Sequence, residues 1–338
     1  MAGDWMAFHV FYASDANPVL TDCVRPLVAE LRDEGLLDRW FFIKYWEEGP
    51  HLRVRLRPSS DDVQEEVRSR AQAALERFLA RRPALYEVDA DDLQDLYRRM
   101  YLAEYGQEKW DRTYGADGVM PVQGNNTVVE KPYEPEYDRY GGAAGVDLAE
   151  WHFERSSDTV LHLLATANTH VRPLQLGFSM QLSLILAYTF LGDDDAVRQF
   201  FASYRSFWET SYQEPSDDQH TSFDTSFERT WETFAPRLDR IRAVCASPDQ
   251  AGSRQERGWA LHARELRERV DTAWGAGLLE FPPVRAAALA ERPEAVAPVL
   301  LSSYVHMTNN RVGSSILEEI YLSYLVEKAL APTTVVLA

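Results

Sequence analysis

Residues 47–58 read Glu-Glu-Gly-Pro-His-Leu-Arg-Val-Arg-Leu-Arg-Pro, which places His51, Arg53, Arg55 and Arg57 at every second position. Leu52, Val54 and Leu56 fill the gaps. Successive side chains of a β-strand point to opposite faces, so this run predicts one apolar face and one bearing an imidazole and three guanidinium groups. Like charges along one strand face repel, and an anion must compensate them. A protein carboxylate and a ligand are both candidates, since the chain carries 53 acidic residues able to pair with its arginines. Guanidinium forks match carboxylates two hydrogen bonds at a time. The chemistry such a face suits is carboxylate recognition, or stabilisation of negative charge as it develops.

Two other segments carry chemistry-bearing residues. The stretch Tyr-Glu-Pro-Glu-Tyr-Asp-Arg-Tyr-Gly-Gly (133–142) sets Arg139 among Tyr137, Asp138 and Tyr140, in a pattern that neither a helix nor a linker requires. Farther on, His306 precedes Asn309, Asn310 and Arg311, near a predicted helix end. Histidine ordinarily titrates near neutrality and serves as acid or base. Taken alone, His306 reads as a buried, hydrogen-bonded histidine. His152 and His162 read as packing or surface residues. The glycines of 141–145 read as a turn, since a phosphate loop would need a preceding strand and a lysine. No zinc-protease, nucleophile-elbow, Walker or dinucleotide-binding motif occurs.

These residues need elements to hold them. Trp5–Tyr12 reads as a strand, and Asn17 followed by Pro18 opens a helix that ends near Gly35, with Pro26 as a potential kink. Arg39–Trp46 and His51–Leu56 flank a glycine turn and predict a hairpin. Residues 61–79 carry a helical stripe. Residues 84–142 give no clear pattern beyond strand pieces around Pro132 and Pro135. Periodicity then predicts helices over 148–166, 174–191, 194–211, 223–245, 255–275, 296–307 and 315–330. Capping boxes are expected at Asp147/Glu150 and Ser315/Glu318, and 211–220 is the most loop-like stretch. The fold class is α+β: an α/β portion over 1–145 with a mostly antiparallel sheet, then a largely helical portion over 146–338.

Composition narrows the function classes. A net charge of -18 and a pI near 4.9 oppose phosphate approach, so nucleic acid is not an expected partner. The most apolar window, 174–192, is broken by Gln175 and Gln181 and reads as a buried helix, not a membrane span. Two cysteines, Cys23 and Cys245, make no disulfide framework, and no signal peptide is visible. Cytoplasmic residence is the expectation.

The segments Trp40–Leu56, Tyr133–Gly142 and His306–Arg311 stand in the order of the signature segments of one family. From about Trp5 to Leu330 the chain resembles the C-terminal elimination domain of lantibiotic dehydratases, also called the thiopeptide-type bacteriocin biosynthesis domain. The resemblance implies a free-standing elimination component of a split dehydratase. Such an enzyme takes a precursor peptide whose Ser or Thr has been glutamylated by a separate tRNA-dependent protein. It removes the Cα proton and expels glutamate, leaving dehydroalanine or dehydrobutyrine. By the same resemblance Arg53, Arg55, Arg139 and His306 are the catalytic candidates, and His51, Lys44, Tyr140 and Arg311 contact substrate. His51, Arg53, Arg55, Arg139 and His306 are expected to converge on one pocket. No cofactor or metal is implied, and a homodimer is allowed. Lys44 departs from the family, which tends to have arginine there, and 101–131 has no recognisable counterpart. The same fold serves enzymes that join two dehydroalanines by formal [4+2] cycloaddition to form the pyridine core of thiopeptides. Those do not need the arginine set. A non-catalytic subunit that binds the precursor peptide is the third reading.

Overall fold

The computed structural model describes residues 3–332 apart from 87–89, 117, 213 and 214, and gives the backbone alone at 90–93 and 217. The α+β expectation holds. The chain divides into two compact units, residues 1–135 with 153–169 and residues 136–152 with 170–338.

The first unit is built on four antiparallel strands: β1 (Met6–Phe11), β2 (Leu37–Tyr45), β3 (His51–Pro58) and β4 (Thr127–Lys131), in the order β2-β3-β1-β4. Val54 pairs with Phe8 and Phe42, and Arg53 with His9 and Ile43. Leu52, Val54 and Leu56 are fully buried on one face, which explains why the apolar set alternates with the arginines. Helices α1 (Arg25–Asp33) and α2 (Gln64–Arg81) follow β1 and β3 respectively. A π-helical turn at Leu20–Val24 precedes α1. Pro26 supplies no N–H there, so the kink read from the sequence takes this form. Trp40 buries its ring and donates Nε1–H to Asp158, while Ser157 Oγ accepts from the backbone of Phe42.

The stretch that gave no pattern contains α3 (Ala90–Tyr114), interrupted at Gly106 with φ 79° and ψ 166°. That conformation is open essentially to glycine alone, and it splits the helical period that a sequence window would need. Trp110, Tyr101, Tyr97 and Met120 form a satellite core around this helix.

The second unit is helical. The helix α4 (Gly142–Thr166), of which residues 142–152 belong to this unit and 153–166 to the first, starts six residues earlier than the Asp147/Glu150 box suggested, because two left-handed glycines, Gly141 and Gly142, make the break. Then come α5 (Arg172–Leu191), α6 (Asp194–Ser211), α7 (Asp217–Ala246), α8 (Arg254–Gly275), α9 (Pro283–Glu291), α10 (Val296–Val312) and α11 (Ile316–Ala329). The Ser315/Glu318 capping box is present. The loop-like stretch turns helical at Asp217 behind Ser216, with 213 and 214 outside the described residues. Periodicity missed α9, a nine-residue Ala-rich helix with little apolar stripe. It also ended α10 too soon, placing Asn309 and Arg311 in a connection when both lie inside the helix. Among the described residues only α5 is long and apolar enough to cross a membrane, and most of it is buried.

Candidate functional site

In the first unit the hairpin positions the cationic face. Each arginine lies over a ring: Arg53 is 3.6 Å from the centroid of Tyr45, Arg55 4.4 Å from Tyr133 and 5.1 Å from Phe41, and Arg57 5.3 Å from Trp5. Carboxylates from the same hairpin answer two of the charges. Arg53 Nη2 donates to Glu47 Oε2 at 2.9 Å, and Arg57 Nη2 meets Asp38 at 2.5 Å. Asp38 sits at a register irregularity of β2, a place where strands re-aim a side chain. Glu47 also accepts from Tyr114 Oη at 3.2 Å, so α3 closes onto the turn. The compensating anion of Arg53 and Arg57 is therefore the protein's own.

His51 has a fixed tautomer. Its Nδ1 lies 2.8 Å from the carbonyl of Gly49, and its Nε2 accepts from Arg53 Nε at 3.2 Å, so Nδ1 carries the hydrogen. Its ring stacks on His9 at 4.8 Å. Burial and then the Gly49 carbonyl and Arg53 act on it, with the net effect of pushing its pKa down to about 3. Burial, with Arg53 next, pushes His9 down to about 2. Both rings are neutral at pH 7, so the positive charge on this face comes from the arginines and from Lys131, which stands in register with Ala7 on β4 and pairs with Glu48. Tyr45 hydrogen-bonds Tyr105 at 2.5 Å and Glu104 at 3.2 Å, and burial drives its hydroxyl pKa well above the ordinary range. Lys44 stands with Leu52 on the opposite sheet face and donates to Asn17 at 3.2 Å.

In the second unit α10 carries two polar faces. On one, His306 Nδ1 lies 2.9 Å from Glu319 Oε1 of α11. Glu319 is fully buried and also accepts from Tyr204 Oη of α6 and from Asn309 Nδ2 at 3.0 Å. Ser183 of α5 donates to Asn309 Oδ1 at 3.1 Å, which orients that amide. Four helices thus hold one buried carboxylate behind one imidazole. His306 keeps 22% of its side chain exposed, rests on the Trp208 ring at 4.8 Å, and its Nε2 has no partner among the described residues. A histidine held at Nδ1 by a carboxylate presents Nε2 as a proton acceptor, and the carboxylate stabilises the imidazolium that results.

The other face of α10 carries Tyr304, Thr308 and Arg311, at helical spacing of four and three. His152 bridges Thr308 at 3.2 Å and His262 at 3.0 Å. Arg311 is fully buried and donates to the carbonyl of Met307 at 2.7 Å. Tyr140 stacks on Tyr304, 6.3 Å apart. Arg139 lies in a single helical turn, Tyr137–Tyr140, closed by Gly141, and pairs with Glu136 at 3.3 Å. The segment that no helix seemed to require is itself a helical turn.

The profile of the family described as lantibiotic biosynthesis dehydratase, C-terminal, matches residues 5–330. The chain belongs to this family. Solved structures share its fold. The pyridine synthase TbtD from thiomuracin biosynthesis is 21% identical, with a TM-score of 0.75 over 96% of this chain and 97% of that one. TsrL is 19% identical, with a TM-score of 0.64 over 96% and 94%. The tRNA-dependent lantibiotic dehydratase MibB from Microbispora sp. 107891 is 19% identical with a TM-score of 0.54, and this chain spans 28% of its length. No curated protein matches the chain in sequence.

Within the family member's first unit, then, His51, Arg53 and Arg55 share a face, and Lys44 does not join them. Within the second, Tyr140 and Arg311 belong to the buried side of α10, whereas His306 belongs to the side facing Glu319. Sequence reasoning missed Glu319, Tyr204, Glu47 and His9. Glu319 carried one usable signal: a carboxylate at the fourth residue of a helix, in a run otherwise apolar on that side, asks for a buried partner. His9 carried another, since it sits at every-second spacing with Ala7 and Phe11 on the strand beside β3, on the face that carries the arginines.

Proposed function

We propose that this protein eliminates glutamate from glutamylated Ser or Thr of a precursor peptide in ribosomal peptide natural product biosynthesis. The observation that carries the reading is the His306–Glu319 pair, a base arrangement with its exposed nitrogen open to a substrate. His306 Nε2 takes the Cα proton, the Cα–Cβ double bond forms, and the Cβ–O bond breaks with its electron pair on the departing glutamate carboxylate. Arg55, Arg53 and Arg139 serve the glutamyl carboxylates and the developing enolate, with His51 holding Arg53 in place. A separate glutamylating protein supplies the substrate.

The test is incubation of a glutamylated precursor peptide with the purified chain, without ATP, tRNA or metal, followed by mass spectrometry. Glutamate loss and dehydrated peptide are expected. Arg53→Ala, Arg55→Ala, Arg139→Ala and His306→Ala should each leave glutamylated peptide accumulating, with rates down by about 10²–10³-fold. Arg→Lys should restore little, because a point charge does not reproduce the fork. The second reading is formal [4+2] cycloaddition. What favours it is that the chain matches nearly the full length of the pyridine synthase TbtD. It predicts an unchanged glutamylated peptide, and ring formation from a peptide already bearing dehydroalanines.

A further inference from the structure

The His306 site has an apolar neighbour that the proposed chemistry leaves unused. At the C-terminal end of α6, Phe207 is 57% exposed and Tyr212, just past the helix, is 38% exposed. Between them lies Trp208, half-buried, with its ring centroid 4.8 Å from that of His306. Phe207 sits 5.0 Å from Trp208 edge-on, and Tyr212 6.5 Å from it at 83°. The three rings make one contiguous shelf whose inner end is the imidazole.

Exposed aromatic rings are costly to leave in water, and a contiguous group of them marks a contact surface more often than isolated ones do. Two features of the shelf specify its occupant. It begins at His306, whose Nδ1 is held by Glu319 and whose Nε2 has no partner among the described residues, so anything bound at His306 runs onto it. Its span also fits a peptide: neighbouring residues of an extended chain are about 3.8 Å apart, and residues two apart about 7 Å. With a reacting residue at His306, the flanking side chains fall over Trp208 and then over Phe207 or Tyr212. Arg205, one turn back on α6, is engaged by Glu209 and Glu327.

We infer that Phe207, Trp208 and Tyr212 form a subsite for a large apolar or aromatic side chain flanking the residue that His306 acts on. The inference rests on the functional reading of His306, and it assigns the chain a sequence preference around its modified position. Trp208 packs directly on His306, whereas Phe207 and Tyr212 reach it only through Trp208. They set selectivity.

Fluorescence anisotropy on three labelled hexapeptides tests this. Each carries one diaminopropionate bearing a glutamyl amide, a stable stand-in for the glutamyl ester, flanked on both sides by Phe, Leu or Gly. The wild-type chain is expected to bind the Phe peptide about tenfold more tightly than the Gly peptide. Phe207→Ala and Tyr212→Ala should erase most of that ratio and leave Gly-peptide binding unchanged, whereas Phe207→Leu should retain preference for the Leu peptide. Unchanged Phe-to-Gly ratios in the folded alanine variants overturn the subsite. So does a shift from dimer to monomer in Phe207→Ala with peptide binding intact, which would assign the shelf to a second copy of the chain. Repeating the series without the glutamyl group separates the two ideas. A Phe preference that survives its removal, alongside a group that adds no affinity, keeps the shelf and counts against glutamate elimination.

Discussion

A carboxylate without solvent contact needs its lone pairs answered, and Glu319 has Tyr204, Asn309 and His306 doing so. Replacing it by an apolar group would leave those three donors facing nothing, at a cost of about 1–3 kcal/mol for each unsatisfied group. Glu319→Gln preserves the shape and removes the charge, so it isolates the electrostatic role. We predict a fall in kcat of about 10²–10³-fold with KM nearly unchanged, because the imidazolium loses its counter-charge after it takes the proton. Steady-state kinetics on a glutamylated peptide measure this, and equal kcat for the two proteins would remove the base assignment. Arg53 makes the opposite point. Its carboxylate partner Glu47 is six residues away through a turn, so this arginine is answered within its own hairpin.

At the scale of elements, the decisive unit is α10, one helix serving two polar neighbourhoods. His306 and Asn309 face α11, and Tyr304, Thr308 and Arg311 face the His152 side, a division set by 3.6 residues per turn. The turn that presents Arg139 and Tyr140 depends on Gly141 at φ 86°, where an added Cβ would also meet the Phe281 ring at 2.8 Å. Gly141→Ala combines left-handed strain with that clash. We predict a loss of about 1–3 kcal/mol, read as a lower midpoint in urea denaturation with the slope unchanged. An unshifted midpoint would show that the turn relaxes freely. Elements with strong local periods, such as the β2–β3 hairpin, α2 and α11, were legible in advance. Two were not: α3, cut by Gly106, and α9, whose alanines leave no stripe. A period is visible only where burial is one-sided and the backbone uninterrupted.

At the scale of the whole molecule, burial of neutral histidines ties stability to pH. His9, His51 and His152 are held below the ordinary imidazole pKa chiefly by burial, His9 to about 2 and His51 to about 3. The unfolded chain takes up protons below pH of about 6.5 and the folded chain does not. Stability is therefore complete above that pH and falls as pH drops, by about 1.4 kcal/mol per pH unit for each histidine. Denaturation midpoints at pH 7, 6 and 5 test this above the ordinary carboxylate range, and a flat series would be inconsistent with neutral buried rings. The sequence by itself determined the alternating hairpin, the order of an antiparallel front and a helical remainder, and the family. Those follow from local geometry and residue chemistry. Only the tertiary structure decided which partner each group has: Glu319 behind His306, Tyr114 on Glu47, Lys44 on the far side of the sheet. Partners distant in sequence are selected by packing, and no spacing along the chain encodes them.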